Sequence, residues 1–290
     1  MTEPAAVPDA YDPWFLATPV ALPGVPEGVA TMTLPFTHFT VVLQPDRRLA
    51  VVTAANLDGA SLLEIDRGDD WHLDPRVPAE AQTGPEVYAA NDLDRGHLTR
   101  RRDPVWGERV VAERANLDTF GYVNAAPQAA LFNQGELLWA GLEDYVLEHA
   151  RTYAQRLTVL TAPVFGDDDP LYRGTRIPRR FWKIAAWNDG DETSPALAAT
   201  AYVLDQSAQL DAIDLTDRGS GAAAPPLGAY LTYQVPVADV VTLTGLDLGP
   251  LVEADRMPAP TTALPVDLAR GSAVLDTRWV RLVHLSDITL

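Results

Sequence analysis

The sequence contains no cysteine, and its 22 basic residues include a single lysine, Lys183. The first absence excludes disulfide frameworks, thiolate zinc sites, iron–sulfur clusters and a cysteine nucleophile, so any metal must be held by oxygen or imidazole. No apolar run approaches the roughly 18 residues of a membrane span, so no membrane role is expected. The start carries two acids in its first nine residues and no basic n-region followed by an apolar stretch, which argues against a cleavable signal peptide. The expected location is therefore the cytoplasm, or outside the cell after export by a route that leaves no such mark. No Gly-x-Ser-x-Gly elbow, Gly-rich phosphate loop or zinc-finger spacing occurs.

Positive charge is also scarce. Forty acidic against 22 basic side chains leave a net charge of -18, which repels nucleic acid at long range. The near-complete use of arginine fits a codon-biased genome, although guanidinium forks also suit phosphate better than ammonium does. Only the local pattern can decide between these. What is present is a globular composition, 47% apolar and 21% charged over 290 residues, enough for one sizeable core.

A Pro-rich lead over residues 1–35 reads as an extended segment packed on the body. Residues 38–43 and 49–54 read as two strands joined by a turn with Pro45 at its second position. Residues 56–92 show little periodicity and read as loop with short pieces. Leu137, Leu138, Leu142, Tyr145, Val146 and Ala150 fall at helical spacings across 135–155, and a buried strand follows over 156–161. Residues 181–187 and 196–204 predict a second hairpin about the turn at Asn188–Asp191, and 214–226 a Gly/Ala/Pro-rich loop. Residues 235–243 and 277–285 are short apolar-periodic pieces, with a Pro-punctuated connection over 253–269. No repeat and no sharp shift in composition appears, so one α+β domain is expected over 36–250, with 251–290 as an extension packed on it.

The chemistry concentrates between Asp94 and Glu143, in Asp94-Arg95-Gly96-His97, Asn124-Ala125-Ala126-Pro127-Gln128, Asn133-Gln134-Gly135 and Leu142-Glu143-Asp144. Carboxamide and carboxylate oxygens suit a hard, hydrated cation such as Mg²⁺. A neutral histidine can take a proton from water near pH 7, and a guanidinium can hold phosphate. Such a set meets the needs of metal-assisted phosphodiester hydrolysis. Taken singly, each residue has a plainer explanation: His97 as a structural histidine, Asn133 as a helix N-cap, Glu143 as part of a solvated helix face.

These four ordered blocks resemble the DNA/RNA non-specific endonuclease family, the ββα-metal nucleases. Trp71-His72-Leu73-Asp74-Pro75-Arg76, residues 166–183 and Thr244-Gly245-Leu246-Asp247 extend the similarity over most of 36–250. The resemblance implies a ββα-metal fold with a central antiparallel sheet flanked by helices. It implies His97 as general base, Asn133 as direct ligand of Mg²⁺ (with Mn²⁺ as a substitute), and Glu143 holding metal-bound water. It further implies Arg95 at the scissile phosphate, Asn124 ordering the site through hydrogen bonds, Arg67 as an upstream phosphate contact, and products with 5′-phosphates. The sequence departs from the family pattern in two places. Ten residues separate Asn133 from Glu143 where the simplest pattern has eight, which moves the pair about 160° around a continuous helix. Leu147 stands where some members carry an arginine one turn beyond the glutamate.

Arg173, Arg176, Arg179, Arg180 and Lys183 put five positive charges in eleven residues, and Arg100-Arg101-Arg102 follows the tetrad. Arg100, Arg176 and Arg180 are candidate phosphate contacts, and a plain charged hairpin is the competing explanation of the second cluster. The expected activity is Mg²⁺-dependent, non-specific endonucleolysis of DNA and RNA. A non-catalytic nucleic-acid-binding or assembly module on the same scaffold, and a small-nucleotide phosphodiesterase, are the rivals. The reading leaves room for an inhibitor protein and for a homodimer.

Overall fold

The computed structural model describes residues 10–129, 139–191, 193–213, 215, 231–257, 279–284 and 287–288, with the side chains of 139–145 outside the description. The strands are β1 (Met32–Phe36), β2 (Phe39–Gln44), β3 (Leu49–Asp58), β4 (Leu93–His97), β5 (Ala125–Ala129), β6 (Arg156–Val164), β7 (Leu171–Tyr172), β8 (Thr175–Arg176), β9 (Arg180–Asn188), β10 (Leu197–Asp205), β11 (Leu231–Val235) and β12 (Val280–Arg281). The α-helices are α1 (Pro85–Tyr88), α2 (Arg109–Asp118), α3 (Trp139–Thr152), α4 (Ser207–Ala212) and α5 (Val237–Thr244).

Eight strands form one sheet in the order β1-β2-β3-β6-β9-β10-β11-β12, every pairing antiparallel. The two expected hairpins are both in it. Backbone turns close the first at Gln44–Arg48. The Asn188 side chain organises the second, accepting from Gly190 N at 3.3 Å and Ala196 N at 2.9 Å. The sheet is covered on both faces, and its central strands are therefore buried along almost their whole length, Thr53, Asn56, Thr158, Thr161 and Lys183 included. On β9, Phe181, Ala185 and Trp187 point to one layer, while Trp182, Ile184 and Ala186 point to the other, by the period of two.

One layer holds α5, Leu246, Leu248 and the N-terminal segment, whose Tyr11, Phe15, Leu16 and Val20 are buried against the sheet. The opposite layer holds α3, through Val146, Leu147 and Ala150, together with the β4–β5 ribbon, through Ala126 and Ala129. Gly59, at the end of β3, lets this layer close: a Cβ there would stand 2.1 Å from the Ala150 carbonyl oxygen at the end of α3.

Several elements differ from the sequence reading. Met32–Phe36 forms an edge strand inside the Pro-rich lead, the position a sheet allows to Pro35. The strand pair that the resemblance implies at the site is β4 and β5, which carry no periodic signal of their own, and α2 and the short α1 also lie in stretches without a clear periodic signal. The 235–243 piece divides into the end of β11 and helix α5 at Pro236. The 214–226 loop, apart from residue 215, and most of the 253–269 connection lie outside the described residues. Among the described residues no helix is long and apolar enough to cross a membrane.

Candidate active site

The tetrad is strand β4. It pairs with β5 so that His97 faces Ala125, Gly96 faces Ala126 and Asp94 faces Gln128. Two of the motif blocks are thus the two strands of one ribbon. Gly96 has a steric reason: a Cβ at that position would lie 2.0 Å from Cδ of the buried Gln128 side chain, which crosses the strand there. The third element of a ββα unit is α3, packed on the same face of the sheet.

Asn124, immediately before β5, is fully buried. Its carboxamide oxygen accepts from Thr99 N at 2.9 Å, and its nitrogen donates to Thr99 O and Thr119 O, both at 3.0 Å. All its polar capacity toward these partners is spent on backbone, which pins the chain two residues beyond His97. The carboxamide is thereby committed to main-chain groups on both of its atoms.

His97 sits among rings. Trp71 lies 4.7 Å away between ring centroids and Phe120 5.2 Å away, edge-on. Its Nε2 is buried and has no hydrogen-bond partner among the described residues. Burial, and then the charges of Arg67, Arg101, Arg95 and Arg100, depress its pKa to about 3. The imidazole is therefore neutral at pH 7, with a lone pair or proton on Nε2 available to a ligand. Four of the chain's guanidiniums thus gather about one histidine in a protein of net charge -18.

Each arginine is differently held. Arg95 lies over the Trp71 ring, 5.1 Å from its centroid, with Asp69 3.7 Å from the guanidinium. Arg101 donates to Ile65 O and Asn116 Oδ1, each at 3.0 Å. Burial and the like charges of Arg67, Arg102 and Arg100 lower its pKa, evidence that these residues crowd together. Arg67 is exposed. Arg102 and Arg151 of α3 both reach Glu64 at 2.7 Å, tying the loop after β4 to the helix.

The second basic cluster does not join this group. Arg176 donates to Asp169 O at 2.9 Å and Arg179 pairs with Asp211 of α4 at 2.8 Å, so both are engaged by neighbouring protein groups. Arg180 opens β9, opposite Asp205, and Lys183 is buried in the sheet. Asn133 and the Glu143 side chain lie outside the described residues, as does the interval that decides the ten-residue spacing; the described part of α3 begins at Trp139. Among the described residues no group of three or more carboxylate or imidazole ligands could hold a metal. The aromatic wall of Trp71 and Phe120 was not anticipated; its members stand 49 residues apart in a chain whose numbering is the only local signal.

A two-stranded ribbon bearing an aromatic-walled histidine, followed by a helix on the same face of an antiparallel sheet, has the form of a ββα nuclease site. The sequence model of the DNA/RNA non-specific endonuclease family matches residues 16–255, and the chain belongs to that family. Similar curated proteins include the uncharacterized protein y4fB of Sinorhizobium fredii, 39% identical over 245 residues, which are 81% of this chain and 36% of that protein. Mitochondrial endonuclease G of Bos taurus is 34% identical over 96 residues, 33% of this chain and 29% of its own length. The chain thus spans about a third of each of these relatives. Among solved structures, a complex of EndoG with EndoGI contains a chain similar at TM-score 0.53 and 19% identity, over 74% of this chain and 84% of that one. That likeness concerns the fold.

Proposed function

We propose that the chain is a Mg²⁺-dependent endonuclease that hydrolyses phosphodiester bonds in DNA and RNA with little sequence preference. The observation that carries this reading is the neutral His97, its Nε2 without a hydrogen-bond partner among the described residues, inside a group of four guanidiniums. In this reading His97 accepts a proton from the attacking water. Arg95, with Arg67 and Arg100 beside it, binds the phosphate and offsets the charge that grows on its oxygens. A phosphate entering the group neutralises the guanidiniums that depress His97, so the imidazole gains basicity as substrate arrives. Asn124 holds the backbone after His97 in place.

Asn133 and Glu143 are the residues assigned to hold Mg²⁺, or Mn²⁺ in its place, and when bound the ion supplies Lewis-acid stabilisation at the leaving 3′ oxygen. Arg176 and Arg180 remain candidate contacts for a strand that runs beyond the site. An unrestrained nuclease requires restraint or export, and a protein inhibitor, of the kind named for the EndoG/EndoGI complex, is the partner proposed.

The test is incubation of the purified protein with plasmid DNA and structured RNA in Mg²⁺, Mn²⁺ and EDTA over a salt series. Metal-dependent loss of both polymers, weakening steeply with salt, is expected. The acidic surface favours one rival, a small-nucleotide phosphodiesterase, whose rate would barely respond to salt. Binding of either polymer without cleavage in any metal would leave the non-catalytic module.

A further inference from the structure

Asp69 stands beside the guanidinium assigned to the phosphate. Its carboxylate lies 3.7 Å from Arg95, and both side chains meet solvent, Asp69 at 76% and Arg95 at 36% of full exposure. The separation exceeds the roughly 2.7–2.9 Å of a charge-assisted hydrogen bond, and a pair so open to water contributes little to folding. Among the described residues Arg95 donates no hydrogen bond to a protein acceptor, whereas Arg101 is committed at 3.0 Å and Arg102 at 2.7 Å. Arg95 is held instead over the Trp71 ring, 5.1 Å from its centroid, a contact that leaves its N–H groups for an anion.

The carboxylate is brought there by a pinned loop. The Trp71 amide donates to Asp69 O at 2.9 Å, His72 N donates to Phe120 O at 3.2 Å, and Tyr122 N donates to His72 O at 2.9 Å. Trp71 thus seats Arg95 with its ring and Asp69 with its backbone, and the same ring packs on His97 and Phe120. The loop also carries Arg67, first among the charges that depress His97. Two opposite charges therefore reach the site on one loop, a guanidinium that attracts phosphate and a carboxylate that repels it. An acid set among groups gathered for an anion weakens their hold on that anion, and its loose, exposed pairing gives the fold little in return.

We propose that Asp69 competes with the substrate phosphate for Arg95, so that a nucleic-acid strand binds there only by displacing the carboxylate. The competition weakens the hold on the phosphate in the ground state and in the transition state alike, so Asp69 sets KM rather than kcat. The proposal rests on the nucleic-acid reading of the site, and the test separates the two. Full-length wild type, Asp69→Asn, Arg95→Ala and the double variant are compared in thermal unfolding and in fluorescence anisotropy with a labelled 12-nucleotide single-stranded DNA in EDTA over a salt series. Wild type and Asp69→Asn are also compared in plasmid cleavage with Mg²⁺.

Asp69→Asn should bind the oligonucleotide about 2–5-fold more tightly, the range of an exposed ion pair. Its salt slope should steepen by about 0.7, because Arg95 then neutralises a phosphate without first leaving a carboxylate. KM should fall with kcat and Tm unchanged, and in the Arg95→Ala background the gain should shrink. Damage to the site would weaken binding, so the sign of the change separates competition from disruption. Affinity equal to or weaker than wild type in Asp69→Asn would overturn the proposal. So would an undiminished gain in the Arg95→Ala background, which would assign the effect to general repulsion. Wild-type protein that binds the oligonucleotide but cleaves nothing would remove the endonuclease reading, and the anisotropy cycle would still decide Asp69. Binding by none of the four proteins would overturn both.

Discussion

Removing the Asn124 side chain should loosen the site without touching its chemistry. Asn124→Ala strips one acceptor from Thr99 N and two donors from Thr99 O and Thr119 O, all within a fully buried pocket. A stranded buried N–H costs about 1–3 kcal/mol, and each carbonyl, which keeps a second lone pair for other partners, costs less. The sum is about 3–4 kcal/mol, a large share of a typical stability of roughly 5–15 kcal/mol. For a chain of this size that corresponds to a Tm lower by about 6–16 °C. Thr99 lies two residues beyond His97, and a shift of about 1 Å at a reacting group can cost about 100-fold in rate. Thermal denaturation and plasmid cleavage at a temperature where both proteins are folded measure the two effects. The concentration of Mg²⁺ giving half-maximal rate should not move, because the carboxamide is committed to backbone. An unchanged Tm, or a variant rescued by added Mg²⁺, would refute the positioning account and make Asn124 a metal ligand.

Two further outcomes follow from the same geometry. Gly96→Ala forces a Cβ onto Gln128 and should cost about 1–3 kcal/mol with a marked loss of cleavage, while adding Gln128→Ala should recover part of the Tm; equal stability of the single variant and wild type would show that the ribbon yields freely. His97 has its pKa depressed to about 3 against about 6.5 unfolded. The folded state then binds fewer protons than the unfolded chain below pH 6.5, so stability should fall as pH drops from 6.5 toward 3, and His97→Ala should fall less steeply. In kcat/KM the acid limb belonging to His97 should lie well below pH 6, and a limb centred near 6.5 would contradict the burial and arginine crowding described.

The parts of the fold that announced themselves did so through local chemistry. The hairpins at 38–54 and 181–204 combine apolar runs with turn-forming Pro45 and Asn188, and α3 carries its apolar residues at helical intervals. The site strands did not. Leu93–His97 holds an aspartate, an arginine, a glycine and a histidine, and Ala125–Ala129 holds a proline and a glutamine; neither alternates, and both are strands because Asn124, Gln128 and the sheet beneath them fix the ribbon. The histidine, the asparagine and the arginines were legible as a motif, and Arg67 was reachable only by resemblance. Their common setting depends on Trp71, Phe120 and Tyr122, brought in from separate segments by tertiary packing that no spacing encodes. Of the basic residues at 173–183, Arg173, Arg176 and Arg179 engage nearby carbonyls or aspartates, which charge counting alone could not distinguish from a phosphate track.

The most direct test of the central claim is chemical rescue of His97→Ala by imidazole in single-turnover cleavage of plasmid DNA with Mg²⁺. Loss of a general base should lower the rate by about 10²–10⁴-fold, and added imidazole should restore it in proportion to its neutral form. A folded His97→Ala protein that cleaves at the wild-type rate would contradict the assignment of His97 as the base.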